Sequence, residues 1–124
     1  RIYPKEFKAI IPRNKKHLTL RKTLYDLGNK IGKKISIRNE STLVLSMNLF
    51  DRLYIKRPNL ENITLSYIVC LELAVKMNEE EIREPISEIH NVIKEMKDIP
   101  SYCYSSIIRR EKTIILELKC RLSN

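Results

Sequence analysis

One segment of the chain, residues 63–77, is apolar on nearly every side of a helix. Its apolar residues point in different directions at helical spacing: Leu65, Ile68, Val69, Leu71, Leu73 and Val75. A helix that is apolar all round has to be covered by other elements, whereas a surface helix carries one apolar stripe. With fifteen residues, including Glu72 and Lys76, the segment is too short and too charged to cross a bilayer. The sequence therefore predicts a helical bundle with residues 63–77 at its centre.

The other apolar residues also recur at helical spacing, and no segment alternates convincingly as a strand would. We predict helices at residues 19–31, 85–96 and 105–122, a helix that begins with Asn39 or Ser41 as its cap and ends near Tyr54, and a short N-terminal arm helix beginning near Pro4. Gly32 is the predicted end of the helix at residues 19–31. Two Asn-x-Ser/Thr sequons, at Asn39 and Asn62, are interpreted as helix N-caps. The apolar seam predicted for the last helix is Tyr104, Ile108, Glu111, Ile115, Leu118 and Leu122, which Glu111 interrupts. The expected fold is all-α, with residues 1–18 as arm helix and basic linker and residues 19–124 as a five-helix domain.

Positive charge is concentrated in the first third of the chain. The formal net charge is +9, and residues 1–38 hold twelve basic and two acidic side chains, so the rest of the chain carries a net −1. With 43% apolar residues, the chain is too hydrophobic for intrinsic disorder. A basic surface can bind nucleic-acid phosphates, but it is more often a solvated face.

The residue patterns of catalytic and metal sites are missing from the sequence. There is no glycine-rich phosphate loop, no metal-ligand spacing and no nucleophile with its base. Both histidines, His17 in the basic linker and His90 on an amphipathic helix, are interpreted as surface or half-buried side chains, and the acidic run at residues 79–81 as a solvated helix end. We therefore expect a protein without catalytic activity, cofactor or metal.

The three cysteines are Cys70, Cys103 and Cys120, an odd number at wide spacing. They are predicted to be buried structural thiols, because a free cysteine in an apolar helix behaves as a small hydrophobe. Unpaired thiols are typical of a reducing compartment, so we expect a nuclear or cytoplasmic protein.

Several motifs occur in the order in which they occur in the cyclin box. The segments are RKTLYDL (21–27), NESTL (39–43) with Ser41 as an insertion, NLFDRL (48–53), LAVKM (73–77) with EEI (80–82) and Pro85, and RRE (109–111). They resemble the family patterns R-A-I-L-V-D-W, N-E-T-L, N-x-x-D-R-F-L, L-A-S-K-F-E-E-I-Y-P-P and R-M-E. The resemblance covers about residues 18–122, and it implies a five-helix cyclin box of an N-terminal or single-box cyclin.

The resemblance implies a regulatory subunit that binds and activates a cyclin-dependent protein kinase. In the family, the lysine matched by Lys76 and the glutamate matched by Glu111 converge and bind main-chain groups near the kinase's regulatory helix. Positioning that helix completes the kinase's catalytic site. The other implied kinase-binding residues are Met77, Ile115 and Leu122, with Phe7 and Ile10 of the arm helix. The residues alone leave an alternative for Lys76, an i, i+4 ion pair with Glu72 on its own helix.

Two further groups of residues match family positions. Arg21 and Asp51 occupy the positions of an internal ion pair, so we interpret them as structural. The substrate-docking patch is degenerate, because Lys30 replaces an acidic residue and repels an arginine-containing ligand. The patch positions here are Leu20, Thr23, Leu24, Leu27, Lys30 and Thr64. Kinase substrates or inhibitors are candidate further partners, and no membrane partner is expected.

A second hypothesis comes from cyclin folds in basal transcription factors. Their basic faces contact DNA phosphates, and the basic first third of this chain suits such an adaptor of nucleic acid or a transcription complex. The motifs resemble those of kinase partners instead, so nucleic acid is not the expected ligand.

Overall fold

The computed structural model describes residues 15–57 and 61–122, with side chains as far as residue 118. These ranges form five α-helices and contain no strand: α1 (Lys15–Ile35), α2 (Glu40–Lys56), α3 (Ile63–Asn78), α4 (Pro85–Ile93) and α5 (Tyr104–Leu122). The prediction of an all-α, five-helix fold is confirmed. The predicted arm helix at Pro4 lies outside the described residues.

The centre of the bundle is α3, as the sequence predicts. Every residue from 65 to 75 is buried, and the helix packs against the four others. Each neighbour contributes large side chains with almost no exposed surface, among them Leu24 and Ile31 of α1, Phe50 of α2, Ile89 and Ile93 of α4, and Ile107 and Ile114 of α5. Burying one such side chain stabilises the fold by about 1.5–3 kcal/mol, so the core around α3 supplies most of the driving force.

Both ends of α1 differ from the prediction. The helix begins at Lys15, so residues 15–18 of the predicted linker are helical. It also continues past Gly32 to Ile35. Ser36 then takes the left-handed conformation (φ 64°), and the Ile37 N–H donates to the Gly32 carbonyl (3.0 Å), which is the Schellman arrangement. Gly32 is therefore the acceptor inside the last turn, and Ser36 ends the helix.

The start of α2 is capped by a residue from another part of the chain. Asn39 is the N-cap residue, but its side chain makes no capping hydrogen bond. The Glu79 carboxylate instead accepts from the backbone N–H groups of Arg38 and Asn39, at 3.0 Å each, and from the Thr42 hydroxyl at 2.5 Å. Glu79 is only 5% exposed, so the prediction of a solvated acidic run is wrong at this residue.

Three smaller details of the helices also differ from the prediction. Asn62 is the N-cap residue of α3, as predicted, but it has the left-handed conformation (φ 52°) and its side chain makes no capping hydrogen bond. Tight turns replace the helix after Ile93, three residues before the predicted end of α4. The buried stripe of α5 runs through Ile107, Glu111, Ile114 and Leu118, while the predicted Ile108 and Ile115 are half-buried.

Candidate functional site

Lys76 and Glu111 meet where the last turn of α3 packs against α5. The Lys76 ammonium donates to Oε2 of Glu111 at 2.5 Å. The Lys76 side chain is 44% exposed and the Glu111 side chain 11%. The convergence of these two residues, which the cyclin resemblance implies, is present in the structure.

Glu72 lies one helical turn before Lys76 and belongs to the same cluster. Its Oε2 is 2.9 Å from the Lys76 ammonium, so the i, i+4 ion pair that the sequence left open is present as well. The approach is not aligned for a hydrogen bond, and both carboxyl oxygens of Glu72 are buried without a hydrogen-bond donor. Lys76 therefore forms ion pairs with the carboxyl groups of Glu111 and Glu72, and the Glu72 side chain has no exposed surface.

The three ionisable groups shift one another's pKa. Burial, and then a hydrogen bond to Glu111, raises the pKa of Glu72 to about 8. Burial also acts to raise the pKa of Glu111, but the hydrogen bonds from Glu72 and Lys76 outweigh it and hold that pKa below its usual value. Burial acts to lower the pKa of Lys76, but the two neighbouring carboxyl groups of Glu111 and Glu72 raise it on balance. The site thus keeps a charged Lys76–Glu111 pair beside a group that prefers to be neutral.

Apolar side chains flank this cluster. Met77 follows Lys76 and is 54% exposed, and Ile115 lies one turn after Glu111 and is half-buried. An ion pair beside exposed apolar surface is suited to binding another protein, because apolar contacts supply affinity and charged groups fix the register. Leu122 ends α5, but its side chain is outside the described part, as are Phe7 and Ile10.

The comparison with protein-family models decides the family. The model described as "Cyclin, N-terminal domain" matches residues 3–123. The chain belongs to the cyclin family. Comparisons with curated proteins and with solved structures gave no match.

The internal ion pair expected in this cyclin is present and includes a third residue. The Arg21 Nε donates to both Asp51 oxygens, at 2.9 and 3.0 Å, and His17 Nε2 lies 3.1 Å from Oδ1. His17 is 4% exposed and its ring lies 4.7 Å from that of Tyr54. The interpretation of His17 as a surface or half-buried linker residue is wrong, because this position is in the first turn of α1 and faces α2.

The degenerate docking patch of the cyclin is only partly accessible. Leu24 and Leu27 are 2% and 7% exposed and belong to the core. Leu20 and Thr64 are half-buried, while Lys30 is exposed and lies 3.5 Å from Asp98. A docking peptide therefore cannot reach two of the six predicted patch positions, Leu24 and Leu27, without rearrangement of α1, and the patch stays a prediction.

The described residues contain neither a candidate metal site nor a helix that could cross a membrane. Within residues 15–57 and 61–122, no three His, Cys, Asp or Glu side chains are grouped to hold a metal ion. In the same ranges, no helix combines the length and hydropathy that a membrane crossing requires.

Cys103 is the clearest feature that the sequence did not indicate. Cys70 is buried as predicted, but Cys103 is exposed just before α5. Its sulfur lies 3.3 Å and 3.0 Å from the hydroxyls of Ser105 and Ser106, and these hydrogen bonds lower its pKa to about 7. Ser105 and Ser106, which follow closely in the sequence, could have indicated a thiol with hydrogen-bonding neighbours.

Proposed function

We propose that this cyclin binds a cyclin-dependent protein kinase and activates it by holding the kinase's regulatory helix in its active position. The observation that carries the proposal is the Lys76–Glu111 pair at the surface between α3 and α5. An ammonium group has three donors, and at 44% exposure the Lys76 side chain can direct one of them to a main-chain carbonyl of a partner. The Glu111 carboxylate can accept from a main-chain N–H.

Affinity in this proposal comes mainly from the apolar surface beside the pair. Met77 is more than half exposed and contributes without rearrangement of the fold. Leu122, Phe7 and Ile10 are further candidates, on the cyclin resemblance alone. The free thiols of Cys70 and Cys103 favour action in a reducing compartment, the nucleus or the cytoplasm.

The test uses purified cyclin-dependent kinases, with binding measured by calorimetry and activation by phosphate transfer to a peptide. We expect K76A/E111A to weaken binding about thirtyfold, the equivalent of about 2 kcal/mol for removing a hydrogen-bonded charge pair from an interface. The matched control is R38A/E81A, which removes an ion pair of 3.0 Å whose side chains are 73% and 67% exposed. Kinase binding and activation by K76A/E111A at the level of the control would contradict the proposal.

The apolar contribution has its own matched pair of variants. Met77→Ala should weaken kinase binding, and Val44→Ala on α2 should not, although the two side chains are equally exposed at 54% and 53%. Equal effects of the two substitutions on kinase affinity would show that Met77 is not part of the interface.

A second candidate function rests on the exposed lysines of α1. Six of them face solvent on this one helix: Lys15, Lys16, Lys22, Lys30, Lys33 and Lys34. Such a surface can neutralise DNA phosphates, and binding would then weaken steeply with salt. Retention of duplex DNA at physiological salt by the wild-type chain, with loss on Lys33→Glu/Lys34→Glu, would favour this function over kinase regulation.

A further inference from the structure

The Glu72 carboxyl group has no exposed surface, and neither of its oxygens receives a hydrogen bond. An ionised carboxylate in such a place loses its hydration without replacement, which proteins normally avoid by keeping the group protonated. The position of Glu72 in the middle of the most buried helix therefore favours the neutral acid.

The charges around Glu72 lead to the same conclusion. Lys76 and Glu111 already form a neutral pair, so an ionised Glu72 would add a second negative charge between α3 and α5. The charged groups acting on Glu72 are Lys76 of its own helix and Glu111 of α5, while Lys112 of α5 acts on Glu111. The main causes of the Glu72 pKa shift include no side chain from the described parts of α1, α2 or α4, and Asp51 of α2 acts on Cys70.

A protonated Glu72 also satisfies the hydrogen bonding of the cluster. A neutral carboxyl group has one O–H donor, and the Glu111 carboxylate is an acceptor in the same cluster, since Oε2 of Glu72 and Oε2 of Glu111 lie 2.9 and 2.5 Å from the Lys76 ammonium. An ordinary Glu72–Lys76 salt bridge explains the structure less well, because the ammonium is closer to Glu111 and is not aligned for a hydrogen bond to Glu72.

We propose that Glu72 is a positioning residue, which keeps its proton at neutral pH and donates it to Glu111, so that the Glu111 carboxylate and the Lys76 ammonium are held in place for the partner. The part of this proposal that concerns the partner rests on the proposed function. The proton on Glu72 and its bond to Glu111 do not depend on any partner.

The first test follows the side-chain carboxyl resonances of the full chain by NMR from pH 3 to pH 9, with Glu72→Gln and Glu111→Gln to assign them. We expect the Glu72 resonance to titrate above pH 7 and the Glu111 resonance below the usual range of glutamate. Titration of Glu72 in the usual acidic range would overturn the proposal and would leave the proposed function untouched.

The second test compares Glu72→Gln with Glu72→Leu. The amide of Gln keeps a donor for Glu111, whereas Leu removes it. We expect the Glu111 titration to move to higher pH in the Leu variant and to stay in place in the Gln variant. An unchanged Glu111 titration in Glu72→Leu would overturn the positioning role.

The third test measures kinase affinity from pH 7 to pH 9. If binding requires the protonated form and Glu72 titrates near pH 8, the wild-type chain should bind about tenfold more weakly at pH 9. Glu72→Gln should bind equally at both pH values, and the same pH dependence in that variant would overturn the role at the interface. A kinase bound equally well by K76A/E111A would contradict the proposed function instead, and the two titration experiments would still decide the state of Glu72.

Discussion

The hydroxyl group of Tyr67 in α3 occupies the space that any side chain at Gly28 of α1 would need. Tyr67 is fully buried, and its hydroxyl donates to Ser46 Oγ at 2.9 Å because the Ser46 proton goes to the Leu43 carbonyl at 2.7 Å. Gly28 has an ordinary helical φ. Glycine is required at this position by the contact between two helices and not by the backbone conformation.

Gly28→Ala should destabilise the fold by about 2 kcal/mol, because an added methyl group forces Tyr67 out of a well-packed site. The measurement is the free energy of unfolding in urea. Gly32→Ala is the control, since its Cβ would meet only the flexible end of Ile37, at 3.1 Å. Equal losses in the two variants would contradict the contact.

Tyr67→Phe tests the same contact from the other side. Removing the hydroxyl costs a buried hydrogen bond, about 1 kcal/mol, but it also makes room for Ala at residue 28. The double variant Gly28→Ala/Tyr67→Phe should therefore lose less stability than the sum of the single variants. Additive losses of unfolding free energy would show that the Tyr67 hydroxyl does not obstruct a side chain at residue 28.

Asp51→Ala should destabilise the protein by roughly 3 kcal/mol, since it leaves a buried histidine and a partly buried guanidinium without their shared acceptor. The side chain of Asp51 is 5% exposed and that of Arg21 is 32% exposed. Asp98→Ala is the matched control, because the Lys30–Asp98 pair is 62% exposed on both sides and such pairs contribute little. Thermal unfolding of the two variants distinguishes them, and similar melting temperatures would contradict a structural role for Asp51.

Glu79→Gln should reduce stability at neutral pH and not at low pH. Burial acts to raise the pKa of Glu79, but hydrogen bonds from Thr42, Arg38 and Asn39 outweigh it and place that pKa below its ordinary value of 4.5. A group with a lowered pKa stabilises the fold above its ordinary pKa and loses this contribution as the pH falls through the lowered one. The difference in unfolding free energy between wild type and variant should be about 2 kcal/mol near pH 7 and should shrink below pH 4.5. A difference independent of pH would exclude the charged cap.

Cys103 should be alkylated much faster than Cys70 near neutral pH. The thiolate is the reacting form, and a pKa of about 7 makes roughly half of Cys103 thiolate at pH 7. Cys70 is fully buried, and burial raises its pKa. Mass spectrometry after iodoacetamide treatment in a Cys120→Ser background measures both rates. Ser106→Ala should slow the reaction of Cys103, and an unchanged rate would mean that the hydroxyl does not stabilise the thiolate.

The helices and the centre of the fold could be predicted because they depend on local periodicity. Leu45, Leu49 and Leu53 recur every fourth residue of the sequence, which is a helical spacing, and all three are buried on α2. The ends of helices depend on contacts between distant segments, which periodicity does not contain. Glu79 is 40 residues from Asn39, whose N–H it accepts, so nothing near either residue indicated the cap.

The candidate site could be predicted in part, from the apolar seam of the last helix and from the cyclin motifs. Glu111 stood out because it interrupts an apolar seam, and the cyclin motifs paired it with Lys76. The buried state of Glu72 could not be predicted, since an i, i+4 spacing to Lys76 is equally typical of an exposed pair. His17 could have been found from its spacing of four residues to Arg21, once α1 was extended towards the N-terminus.

Glu79 follows Lys76 by three residues, and its hydrogen bonds connect the end of α3 to the start of α2. These bonds anchor the last turn of α3, which carries Lys76 and Met77, to the start of α2. A binding surface that is already ordered loses less conformational entropy on association, so more of its contact energy becomes affinity. Under the proposed function, Glu79 contributes to kinase binding by limiting this entropy loss.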